Sequence, residues 1–189
     1  MNDLKNRVAL VTGGSRGIGA GIAVALATAG ADVAVNYREQ GAAAQSVCAE
    51  IASRGRKAIA VQADVSRAQE ITRMVSELES SLGPVDILVN NAAIAKPRPF
   101  EEITETEWDE ILRVNLKSVF LVTQAVIAGM RKRKWGRIIN LSSVAAQTGG
   151  AVGAHYAAIQ GGDHRPDALL RLFLHQGWNH GERHRTRAD

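Results

Sequence analysis

Residues 8–19 read Val-Ala-Leu-Val-Thr-Gly-Gly-Ser-Arg-Gly-Ile-Gly. Val8-Ala9-Leu10-Val11 is a short apolar run of the kind a buried parallel strand requires. Residues 17–29 are rich in Ala, Ile and Leu and stop at Gly30, which predicts a helix. A glycine turn therefore joins a strand directly to a helix. Gly13, Gly17 and Gly19 let the backbone bend sharply, approach a pyrophosphate and pack helix against strand. The helix N-terminus then offers unpaired N–H groups and a positive dipole end to the phosphates. The turn as a whole, Gly13, Ser15, Arg16, Gly17, Ile18 and Gly19, is thus assigned to a dinucleotide.

Outward from this turn the same alternation repeats. Asp32–Val35 is a second strand, residues 40–54 a second helix and Ala58–Val61 a third strand. Residues 67–82 carry Ile71, Met74, Val75 and Leu78 on one helical stripe. Gly83-Pro84 breaks the chain before a fourth strand at Val85–Val89. A long helix over 105–133 precedes a fifth strand at Arg137–Leu141. Strands separated by helices of this length imply an α/β Rossmann-like doubly wound parallel sheet with helices on both faces. Dinucleotide sites that prefer NAD place an acidic residue after the second strand to hold the ribose 2′-hydroxyl. Here the chain reads Asn36-Tyr37-Arg38, with Arg16 in the glycine turn, and two guanidinium groups suit a 2′-phosphate. NADP is therefore expected over NAD.

Composition narrows the classes. The chain has 189 residues, a net charge of +4 and 46% hydrophobic residues, which suits one globular domain. Cys48 is the single cysteine, so no intrachain disulfide is possible. No signal pattern and no unbroken apolar run of about 18 residues is legible, and a cytoplasmic protein with no membrane association is expected. Basic residues are scattered apart from Arg131–Lys134, a run better read as a helix C-terminal cap than as a nucleic-acid site. No metal site is expected: His175, His180 and His184 match no zinc spacing.

Several separated motifs now stand in order: the Thr12–Gly19 turn, Asn90-Asn91-Ala92-Ala93 closing the fourth strand, Asn115 in the long helix, Ser143 after the fifth strand, and Tyr156. Together they resemble the short-chain dehydrogenase/reductase family, with the nearest look to its 3-oxoacyl-[acyl-carrier-protein] reductase-like members. The resemblance covers residues 5–158. It implies that Asp64 and Val65 meet the adenine, that Asn91 braces the sheet beside the cofactor, and that Ala92 and Ala93 lie against the ribose. It implies catalytic roles for Tyr156 as general acid to the ketone oxygen, Ser143 as its hydrogen-bonding partner and Asn115 as holder of a relay water. The implied activity is hydride transfer between NADP and a carbonyl or alcohol, such as an acyl thioester. The family is usually a homo-tetramer or dimer; its interface uses the 105–133 helix and the helix after the tyrosine, so assembly is not expected of this chain.

The pattern breaks after Tyr156. The family continues Tyr-x-x-x-Lys, whereas this chain has Tyr156-Ala157-Ala158-Ile159-Gln160. Gln160 carries no charge and cannot depress a phenol pKa through a cation's field. Residue usage shifts as well: all six lysines lie before residue 135, and four of five histidines lie after residue 160. Read one nucleotide later, the codons for Ile159-Gln160-Gly161 permit Ser-Lys. Those for residues 176–182 permit Lys-Asp-Gly-Ile-Thr-Val-Asn, and those for 183–187 permit Ala-Ile-Ala-Pro-Gly, the family's sixth strand and its cofactor-side end. The expectation is an incomplete dinucleotide-binding domain over 1–158 followed by an out-of-frame tail over 159–189. The fifth strand would then be an exposed sheet edge that favours aggregation. Two functions follow: an NADP-dependent carbonyl reductase by parentage, impaired in this chain, or a catalytically dead nucleotide-binding remnant.

Overall fold

A computed structural model describes residues 4–141. Five strands, β1 (Val8–Val11), β2 (Asp32–Tyr37), β3 (Ala58–Gln62), β4 (Ile87–Asn90) and β5 (Arg137–Asn140), form one parallel sheet in the order β3-β2-β1-β4-β5. Between them run α1 (Gly17–Thr28), α2 (Gly41–Ser53), α3 (Ala68–Leu82), α4 (Glu105–Leu112) and α5 (Ser118–Arg133).

The two-residue period of the strands sorts side chains onto two cores. Leu10, Ala34 and Leu88 face α3 and α5, meeting Ile71, Met74, Leu78, Val122 and Val126. Ala9, Val11, Val33, Val35, Ile87 and Val89 face α1 and α2, meeting Ala23, Ala27, Ala44 and Ile51. Both faces of the sheet are covered, so the strands can be apolar throughout. Cys48 is buried in the second core, and burial pushes its thiol pKa up, away from the reactive thiolate.

Several boundaries differ from the sequence reading, three of them with consequences. β2 continues through Asn36 and Tyr37, which pair with Val61 and Gln62. β4 runs Ile87–Asn90, and just before it the Asp86 carboxylate accepts the Val8 N–H at 3.2 Å and is flanked by Arg7 at 3.7 Å and Arg133 at 3.6 Å. The long helix is a rod in three parts, with a π-helical turn at Arg113–Lys117 between α4 and α5. By length and composition the Glu105–Arg133 rod could cross a membrane. Its apolarity has a local cause: Ile111, Val114, Val122, Val126 and Met130 are all buried. Among the described residues β5 is an edge strand, and Ile139 on it is 45% exposed.

The rod begins at a capping box. The Thr104 hydroxyl accepts the Glu107 N–H, and the Glu107 carboxylate accepts the Thr104 N–H. Thr104→Ala should cost about 1 kcal/mol in chemical denaturation. The Thr104 backbone bond, with Arg98 beside it, holds the Glu107 carboxyl below its ordinary pKa. A carboxylate with a depressed folded pKa stabilises the fold above its unfolded pKa and loses that contribution as pH falls through the folded value. The stability difference between Glu107→Gln and the parent chain should therefore shrink as pH falls below about 4. A constant difference would contradict this account of the cap.

Candidate cofactor site

The strand order reverses between β1 and β4, so a crevice opens where their chains leave the sheet in opposite directions. A cleft of about 460 Å³ lies there. The twelve residues assigned to cofactor contact from sequence, Gly13, Ser15, Arg16, Gly17, Ile18, Gly19, Arg38, Asp64, Val65, Asn91, Ala92 and Ala93, all line it.

Its floor is the glycine turn. Gly13 and Gly17 adopt φ of 60° and 57°, a left-handed backbone that glycine takes without strain. Gly19 is a close-approach position: a Cβ there would sit 2.5 Å from both the Asn91 Nδ2 and the Gly13 carbonyl. Thr12 and Asn91 lock the turn to β4. The Thr12 hydroxyl accepts the N–H groups of Asn91 at 2.9 Å and Ala92 at 3.0 Å and donates to Val89 O. Asn91 Nδ2 donates to the carbonyls of Thr12 and Gly13 at 2.9 and 3.1 Å.

Whether this floor suits a pyrophosphate can be judged from α1. Its N-cap, Arg16, makes no side-chain cap bond, and no acidic residue lies in the first turn. A helix start normally needs such a partner for its free N–H groups. A Cβ on Gly17 would meet nothing within 4 Å, so the turn faces open space. An uncapped positive helix end opening into a cleft fits an anionic group.

A second wall is the segment after β3, which the resemblance assigns to the adenine side. Burial pulls the Asp64 pKa up, but the Ser66 hydroxyl and N–H and the charges of Arg38 and Arg67 outweigh it and hold the carboxyl below its ordinary value. Ser66 Oγ also accepts from Arg113 Nη1 at 2.9 Å, tying this wall to the π-helical turn. Arg38 lies at the mouth with its guanidinium on Glu39, 2.6 Å from Oε1. On the opposite side, Asn115 is buried and braced at both ends: its Nδ2 donates to Ile94 O at 2.8 Å, and Ile94 N–H donates to its Oδ1 at 2.9 Å. Asn115 does not line the cleft, whereas its neighbour Val114 does. Ser143, Tyr156 and Gln160 lie outside the described residues.

Sequence reasoning missed Asn36, Tyr37, Glu39, Gln40, Ala63, Ile94 and Val114 among the lining residues. A buried asparagine at a strand end was the available signal for Asn36, since an amide in an apolar strand needs partners.

The short chain dehydrogenase family model matches residues 7–163. The chain is 43% identical over 157 residues to a 3-oxoacyl-[acyl-carrier-protein] reductase FabG of Staphylococcus epidermidis, covering 83% of this chain and 64% of that protein. It is likewise 43% identical over 159 residues to an acetoacetyl-CoA reductase of Shinella zoogloeoides, covering 84% of this chain and 64% of that one. A metagenomic short-chain oxidoreductase solved in complex with NADP superposes with a TM-score of 0.86 at 34% identity, covering 93% of this chain and 79% of that one. The chain thus spans just under two thirds of the length of these curated relatives.

Proposed function

The chain belongs to the short-chain dehydrogenase family, and from that premise we propose that it derives from an NADP-dependent carbonyl reductase, retains the dinucleotide cleft and is impaired in the chemical step. The observation that carries the reading is the cleft itself, in which an uncapped helix start, two arginines and the adenine-side segment converge.

When bound, the nicotinamide would supply the hydride. The protein's part would be to hold and neutralise. The first-turn N–H groups of α1 would hold the pyrophosphate. Arg16 and Arg38 would hold the 2′-phosphate, for which Arg38 exchanges its Glu39 partner. Asp64 and Val65 would face the adenine, and Ala92 and Ala93 the ribose. Tyr156 would donate its phenolic proton to the substrate oxygen, with Ser143 bonding that oxygen; Asn115, braced against Ile94, would keep a relay water in place. A 3-oxoacyl thioester is the favoured substrate class on resemblance to the relatives, in a cytoplasmic setting.

Residues 159–189 are proposed to be translated out of frame. The family match ends at residue 163, near the break in the Tyr-x-x-x-Lys pattern. The coding DNA decides this: codons that cannot yield the shifted Lys, Val-Asn and Pro-Gly readings would overturn it.

The cofactor preference is testable on Arg38. Arg38→Ala should weaken NADP binding by roughly 10- to 100-fold, as expected for loss of a charge-assisted bond to phosphate, and leave NAD within about threefold. Calorimetric titration of both dinucleotides checks this, and an equal loss for the two would contradict the assignment.

A further inference from the structure

We infer that Asn36, which the sequence reading left outside the cofactor set, is a positioning residue that holds the two walls of the dinucleotide cleft together. This rests on the dinucleotide reading of the cleft. Asn36 sits on β2 beneath the cleft and is 2% exposed. Its Oδ1 accepts the Gly13 N–H at 3.2 Å, from the glycine turn. Its Nδ2 donates to Ala63 O at 3.1 Å and Val61 O at 3.4 Å, at the start of the adenine-side segment. Its main-chain carbonyl accepts the Gly14 N–H at 2.8 Å. One side chain therefore meets both walls, each with the polarity that wall demands.

Only an amide does this. It offers an acceptor at one end and donors at the other, and the reversed orientation would set N–H against N–H and oxygen against oxygen. A leucine of similar size would strand the Gly13 N–H and the Ala63 carbonyl in a buried place. An aspartate would keep the acceptor for Gly13 but turn a carboxylate towards two carbonyl oxygens. Gly13 stands at φ 60°, so its amide direction has to be held by a partner rather than by helix or ladder geometry. With Gly13 released, the phosphate turn and the adenine wall would lose their fixed separation, and a dinucleotide bridging both would bind less tightly.

The experiment is calorimetric titration of the full chain with NADP, for the parent and Asn36→Asp, from about pH 8 to about pH 5.5. Asn36→Asp should bind about tenfold or more weakly at the upper pH. The deficit should narrow at the lower pH, because a protonated carboxyl regains an O–H donor for the Ala63 carbonyl. Arg16, Arg38, Glu39 and Asp64, the charged groups facing the cleft, are common to both proteins, so the parent profile is the reference. A deficit that does not change with pH, or none at all, would overturn the proposal.

Hydrogen exchange on the unmodified protein covers the case in which the variant does not fold. The Gly13 amide should be slowed in the nucleotide-free chain, and free exchange there would overturn the proposal. Absence of NADP binding by the parent would sink the dinucleotide reading instead, leaving the Gly13 measurement to decide the role of Asn36.

Discussion

Returning the coding frame after Ala158, so that the Gln160 position becomes lysine and the following segment is read one nucleotide later, is expected to raise NADPH-dependent reduction of a 3-oxoacyl thioester by roughly 10²–10⁴-fold. The physical reason is the proton. Hydride addition leaves negative charge on the substrate oxygen, and on the proposed reading Tyr156 would quench it. An ordinary phenol titrates near 10 and gives up its proton reluctantly at neutral pH. A lysine four residues on would favour the phenolate through its field, whereas the Gln160 amide has no charge to do so. Gln160→Lys alone, with the present tail retained, should recover far less, because on the proposed reading the codons for the sixth strand would still be read out of frame. Steady-state kcat/KM for the three proteins is the measurement. Equal rates for the parent and the frame-restored chain would refute the lesion.

Gly19→Ala should destabilise the fold by about 1–3 kcal/mol and weaken dinucleotide binding by at least tenfold. The added methyl would stand 2.5 Å from Asn91 Nδ2 and from Gly13 O, and 3.1 Å from Gly14 Cα. Asn91 cannot swing away cheaply, because its amide holds the carbonyls of Thr12 and Gly13. The clash falls on the contact that shapes the turn, so stability and binding should fall together. Gly21→Ala is the control: its Cβ would meet nothing within 4 Å in the middle of α1, and alanine there should stabilise by about 0.5–1 kcal/mol. Denaturant titration with parallel nucleotide binding reads both. Similar behaviour of the two variants would contradict the close packing of turn against β4.

What the sequence made legible was what period and glycine placement encode. The apolar runs at β1 to β5 and the stripe on α3 located the sheet, and the glycine turn located the edge at which the cleft opens. The π-helical turn at Arg113–Lys117 was hidden because no glycine or proline marks it; it is evident only from contacts, with Arg113 reaching Ser66 and Asn115 clasping Ile94. Asn36 was hidden for a different reason. Its value lies in Gly13 and Ala63, which are distant in sequence and become neighbours only when β1, β2 and β3 pair. The Arg38 side chain was read as a phosphate ligand, and its engagement with Glu39 adds a competitor that the string of residues did not weigh.

On the proposed reading this chain keeps a working dinucleotide cleft whatever the fate of its chemistry. Titration of the full chain with NADPH and with NADH, followed by the rise in nicotinamide fluorescence, tests it most directly. Saturable binding of both is expected, NADPH tighter by about tenfold or more and losing that advantage as salt screens Arg16 and Arg38. No saturable binding of either dinucleotide would contradict it.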